Sequence, residues 1–356
     1  MSNFRNHGTE LRAAPANADA IFGIKVGSVP WKVFRKTSGC RDLRRNAATA
    51  VIVAFAATLA LAKIAPAQEI TTYTGICEPS GGAFVDATRF VVASDESNVL
   101  RIYERGFPDI LASVDLTGFL MHEKSDLEGA ALGDGVIYWT ASQSFSSKSK
   151  DGKRMVIFAT TISNTDAETP LVPMGVVRED LKDELVAMSG TAAAEINIEG
   201  LAAGADGSPY FGFRNLVDRE APVVHLKNTA AVLSDASVLP IFGQTTLLNL
   251  GGRGIRSLER IGDRYMVVAG PSGDADSLGF ALYWWDGNNE GEVQIWDNLP
   301  PLGDIDPEVA MLSRDGTFIQ IVSDDGDRCP KSELEDPASS DRHFRSLDVL
   351  LQMVGH

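Results

Sequence analysis

The stretch LEGAALGDGVIYWTASQS, residues 127–144, decides the fold, because its plan recurs along the chain. A charged residue leads into a run of small side chains. A Gly/Asp turn follows, then a β-branched and aromatic run, then a polar exit. Four other segments share this plan: CEPSGGAFVDATRFVVASDESN (77–98), IEGLAAGADGSPYFGFRN (198–215), IRSLERIGDRYMVVAGPSGD (255–274) and PEVAMLSRDGTFIQIVSDDGD (307–327). Aligned on Glu78, Glu128, Glu199, Arg256 and Glu308, they are offset by 50, 71, 57 and 52 residues. Short strands and tight turns repeating every ~50 residues are the signature of propeller blades of four strands each. The expectation is an all-β chain forming a five-bladed β-propeller, with six blades as the alternative.

The outer strands of each blade can also be read. NVLRIYER and DILASVDL continue the first blade, RMVIFATTI and PLVPMGVV the second, and APVVHLK with a stretch inside SVLPIFGQTTLLNL the third. FALYWWD and EVQIWDNL continue the fourth, whereas HFRSLDVLLQM leaves the fifth one strand short. EITTYTG (69–75) can supply that strand, so that the N-terminal strand closes the ring. Closure removes the exposed edges of an open sheet. Helical periodicity occurs only in REDLKDELVAM (178–188), inside the longest offset, and reads as an insertion.

Residues 1–67 differ in kind. Arg41, Arg44 and Arg45 precede the apolar run AATAVIVAFAATLALA (47–62) and the small-x-small pattern Ala65-Pro66-Ala67. This is the order of a signal peptide, and the run is shorter than the ~20 residues of a spanning helix. The segment ahead of it is long for a signal, which suggests translation from a later start such as Val33. We therefore expect a leader over 1–67, a propeller domain over 68–356, a periplasmic or secreted location, no stable membrane span after cleavage, and a monomer.

Residues 68–356 hold 22 Lys/Arg and 45 Asp/Glu, a formal net charge of −23. Such a surface excludes nucleic acid as a partner. Cys77 and Cys329 stand near the two ends of this part, and ring closure brings an inner-strand start and a neighbouring second-strand exit to one face. A Cys77–Cys329 disulfide is the expectation for an oxidising compartment.

Side chains at i and i+2 of a strand point the same way. Asp126/Glu128, Asn197/Glu199 and Asp306/Glu308 should each present two oxygens at one mouth of the channel. The exits of the second strands add Asp95, Asp324, Asp325 and Asp327. Crowded carboxylates repel unless a cation neutralises them. An all-oxygen donor set suits Ca²⁺ first and Mg²⁺ second. The candidate metal ligands are Glu78, Asp95, Asp126, Glu128, Glu199, Glu308 and Asp324; the plainer reading has such acids accepting backbone N–H bonds from neighbouring blades.

Arg256 stands where the other repeats carry an acid, and Arg214 leaves the third blade nearby. The two arginines could dock a phosphate or carboxylate, or pair internally with Glu199 and Glu259; both readings stay open. His122 could act as a general base, against the plainer reading of an exposed loop histidine. No G-x-S-x-G elbow and no Gly-rich nucleotide loop occur.

DLEG (126–129), NIEG (197–200) and GGRGIRSLERIGDRYMVVAG (251–270) resemble the uncharacterised bacterial domain-of-unknown-function family 3616, over most of 75–350. That resemblance implies the architecture and no activity. More distantly, the D-x-E-G repeats resemble the esterase-like-activity-of-phytase propellers, which implies metal-dependent phosphoester hydrolysis with Asp126, Glu128 and Glu199 on the motif. Arg256 and the lack of clustered lysines depart from that pattern. Two functions are expected. One is a Ca²⁺-dependent phosphoester hydrolase, with a lactonase as variant, working on a small anionic substrate. The other is a non-catalytic propeller that binds a ligand or protein and is stabilised by a cation.

Overall fold

The computed structural model describes residues 70–144, 153–163, 171–273, 277–296, 302–330 and 341–351. The predicted leader lies outside them. Strand β1 (Ile70–Thr74) comes first. Blade I is β2 (Pro79–Phe84), β3 (Arg89–Ser94), β4 (Ser97–Glu104) and β5 (Ile110–Asp115). The short helix α1 (Thr117–Leu120) leads to blade II: β6 (Leu127–Gly133), β7 (Val136–Ala141), β8 (Ile157–Ile162) and β9 (Leu171–Arg178). Helix α2 (Lys182–Ser189) fills the long offset, where the helical periodicity falls. Blade III is β10 (Ile198–Ala203), β11 (Pro209–Phe213), β12 (Ala221–His225) and β13 (Thr246–Leu248), with α3 (Thr229–Ser234) between its last two strands. Blade IV is β14 (Gly254–Ile261), β15 (Arg264–Gly270), β16 (Ala281–Trp285) and β17 (Val293–Ile295). Blade V takes β18 (Pro307–Leu312), β19 (Phe318–Ser323) and β20 (His343–Leu350) from the end of the chain and β1 from its beginning. All ladders are antiparallel, and the chain is a five-bladed β-propeller.

The second strands are β-branched and aromatic because both of their faces are buried. In β15, Met266 and Val268 pack toward blade V while Val267 and Ala269 pack toward blade III. The apolar residues form five clusters, one at each interface between neighbouring blades. The fifth joins blades I and V, the seam where the ring closes, and is the most aromatic. Tyr73 of β1 stacks on Phe344 at 5.2 Å and meets Phe90 and Tyr103 edge-on at 5.2 and 5.4 Å. Such ring pairs add ~0.5–1.5 kcal/mol each beyond the area they bury.

Two further links cross or brace this seam. Buried Arg342, just ahead of β20, pairs with Glu96 of blade I. Cys77 and Cys329 form a disulfide with Cα atoms 6.2 Å apart.

Candidate functional site

Every inner strand begins with the same irregularity. Its ladder to the second strand slips between Pro79 and Gly81, Leu127 and Gly129, Ile198 and Gly200, Ile255 and Ser257, and Pro307 and Val309. The residues lifted out are Ser80, Glu128, Glu199, Arg256 and Glu308, one per blade, and a β-bulge re-aims the side chain it carries. In blade I the position belongs to Ser80, so the alignment on Glu78 is two residues out of register. Ser80 Oγ donates to the Leu127 carbonyl of the next inner strand.

Below the mouth the inner strands approach closely. A β-carbon at Gly129 would lie 2.9 Å from Leu201 Cβ, and one at Gly200 would lie 2.6 Å from Ile255 Cγ2. Between Ser80, Glu128, Glu199, Ser257 and Ala310 the strands leave no room for a water-sized sphere. A ligand of that size or larger therefore stops at the mouth.

Half of that mouth, from blades III to V, is neutralised by the protein itself. Buried Arg256 places Nε 3.0 Å from Glu199 and a terminal nitrogen 2.6 Å from Glu308. Arg214 approaches the other Glu199 oxygen at 3.0 Å, and Asn197 Nδ2 donates to the same oxygen at 2.9 Å. Burial opposes the charge on Arg256, but Glu308 and Glu199 together raise its pKa. Burial likewise pushes Glu308 up while Arg256 pulls it down.

Of the two expectations for these arginines, internal pairing is the arrangement present, with Glu308 rather than Glu259 as the second partner. Half-buried Glu259 instead accepts the Leu312 N–H at 3.0 Å, and desolvation pushes its pKa up to about 8.

The other half, from blades V, I and II, keeps an excess of carboxylates. Glu128 faces the mouth with its pKa raised well above the ordinary range by burial, then by Glu199, Asp126, Asp95 and Glu308. Asp95 is raised well above the ordinary carboxylate range by burial and then by the neighbouring Glu78. Asp324 is pushed up to about 6, chiefly by burial, against the Gly326 N–H that it accepts at 2.9 Å.

Asp126 leaves this group. Its φ of 57° and the adjacent bulge break the i, i+2 alignment with Glu128. Its carboxylate accepts from Ser142 Oγ at 2.5 Å and pairs with Arg154 at 3.0 Å. Asp325 is likewise taken by Arg345, at 2.6 Å. His122 Nε2 lies 2.9 Å from Glu179 Oε1 rather than against the acids.

Sequence reasoning overlooked several mouth residues. Gln143 is fully buried at a φ of 57°, and neither atom of its amide has a partner among the described residues. Among the described residues, one buried oxygen each of Asp95, Glu96, Asn98, Asn197 and Asn215 also lacks a donor. Gln143 and Asn215 follow the second strands of their repeats, as Asp95 and Asp324 do, and that shared position was the signal available. The donor set is right in kind for calcium. It is not gathered into a cage: among the described residues no three His, Cys, Asp or Glu side chains are grouped so as to hold a metal ion.

Fold and site together define a five-bladed propeller with a charged, asymmetric channel mouth. No family model and no curated protein matches the chain. Among solved structures, the glutaminyl cyclase of Myxococcus xanthus is similar with a TM-score of 0.47 and 10% identity, over 80% of this chain and 96% of that one. The aldose sugar dehydrogenase of Streptomyces coelicolor gives 0.41 and 12%, over 80% and 99%. The exo-beta-1,3-galactanase of Phanerochaete chrysosporium gives 0.45 and 10%, over 81% and 65%. Likenesses at this level carry no argument about what this chain does.

Proposed function

We propose that this propeller is a binding protein whose mouth takes positive charge on its acidic half, with a divalent cation, calcium before magnesium, as the simplest ligand. One observation carries the reading: arginines offset the acids of blades III to V, whereas Glu78, Asp95, Glu128 and Asp324 have no ion pair among the described residues. Like-charged, desolvated carboxylates either hold protons or recruit a cation. Because no cage is preformed, the ion should be held weakly and keep much of its water.

The test is thermal unfolding of the protein after chelation and again with Ca²⁺ or Mg²⁺ restored. A ligand bound only by the folded state raises the midpoint with its concentration. Asp95→Asn and Glu128→Gln should remove that rise and leave the fold intact. An unchanged midpoint with both ions would overturn the reading.

Hydrolysis at the same mouth is a second reading, and the environment of Glu128 favours it. A carboxyl whose hold on its proton is strengthened by burial and by neighbouring acids is shifted toward the state a general acid requires. Arg214 and Arg256 are engaged with acids, so a phosphoester or lactone would depend on other groups for its orientation. Turnover of such esters that disappears in Glu128→Gln would support this reading over simple binding.

A further inference from the structure

A second cavity opens on the same face as the mouth, farther from the axis. The β11–β12 loop and the β13–β14 link both lie at the end where inner strands begin, and they border an open surface cavity of about 320 Å³ lined by exposed Asp218, Arg219, Asn249 and Gly251 and half-buried Glu220 and Gly252. That is the lower end of the size range of small-molecule sites.

The tip of the first loop is a two-residue turn. Val217 and Glu220 exchange backbone hydrogen bonds at 2.9 and 3.0 Å, and the residues between them, Asp218 and Arg219, have φ of 51° and 72°. Two positive φ values in such a turn favour Asp-Gly or Asn-Gly. Arg219 occupies the glycine place, which costs roughly five-fold or more in the folding equilibrium. Its guanidinium lies over Gly252, 3.5 Å from where a β-carbon of that residue would be. Among the described residues it makes no ion pair or hydrogen bond, although Asp218 and Glu220 flank it in sequence. A strained backbone thus presents an unengaged cation beside two carboxylates.

We propose that this cavity binds a small zwitterion, an α-amino acid, with Arg219 taking its carboxylate and Asp218 and Glu220 its ammonium group. A guanidinium fork matches a carboxylate in shape and charge. The flanking acids turn away a simple anion and reward a positive group on the same ligand.

Thermal unfolding of the full chain would be followed with each standard free L-amino acid at about 10 mM, with acetate and methylamine as single-charge controls. At least one amino acid should raise the midpoint by about 1–3 °C, with neither control doing so. Arg219→Ala should abolish the rise. Arg219→Gly should abolish it as well while raising the ligand-free midpoint, since glycine relieves the left-handed strain. Glu128→Gln, in the mouth, should leave the rise intact, which separates this site from that one. No rise with any amino acid, an undiminished rise in Arg219→Ala, or an equal rise with acetate alone would overturn the proposal.

Discussion

Arg256→Met removes the guanidinium that joins Glu199 to Glu308 while keeping most of the side chain's apolar volume. Leaving one side of a buried ion pair uncompensated costs about 3–5 kcal/mol. The Glu308 carboxylate can escape that cost by taking up a proton, and pH sets how readily it does so. From its ordinary value of 4.5, holding that proton costs about 0.7 kcal/mol at pH 5 and about 4.8 at pH 8. The loss is then about 1 kcal/mol at pH 5 by protonation, against about 3–5 at pH 8, where leaving the charge unpaired is no more costly than protonating it. Urea unfolding followed by tryptophan fluorescence, wild type against variant at both pH values, measures the difference. A loss equal at the two pH values, or none at pH 8, would refute the assignment of Arg256 as the charge that holds the mouth together.

Two other expectations concern the fold as a whole. The Glu259 carboxyl is pushed up to about 8 and that of Asp324 to about 6. Raised carboxyls contribute stability that is fully present below the unfolded value and is lost as pH rises through the folded one, so the unfolding midpoint should fall between about pH 4.5 and 8. Asp180, held low by its hydrogen bonds to Arg178, acts in the opposite sense and loses its contribution at acid pH. A midpoint that is flat or rising from pH 5 to pH 8 would contradict the burial of these acids. The Cys77–Cys329 bridge spans 252 positions, for which loop entropy gives about 5 kcal/mol. The double serine variant should unfold about 10 °C or more below wild type, and a shift of under a degree would show that the seam holds without the bridge.

The architecture was legible because each blade repeats a local rule: small residues where five inner strands crowd, β-branched and aromatic ones where the second strand is buried on both faces. Even the borrowed strand could be read, from the shortage in blade V and the surplus at Ile70–Thr74. The register of blade I was misread by two residues because Glu78 imitates the acid of the other repeats, while Ser80 occupies the bulge. Charge pairing at the mouth was less legible. Arg256 meets Glu199 and Glu308 only because the ring sets blade IV between blades III and V and the bulges turn all three side chains inward. The departure of Asp126 has the same local origin, a left-handed residue that period-two reasoning does not anticipate.

The pairing of β1 with β20 also fixes an order of events. Ile70 has its ladder partner in Leu347, so the earliest strand of the propeller to be synthesised is completed by the last. Four blades can assemble from consecutive hairpins as the chain emerges, each closing loops of modest length. The fifth cannot assemble until β20 has been made, and until then β1 and the aromatic face of blade I remain uncovered. Ring closure is thus the most non-local step available to this chain, and the one expected to limit its folding rate. The aromatic seam, the Glu96–Arg342 pair and the disulfide are the contacts that reward that late step and keep it from reversing.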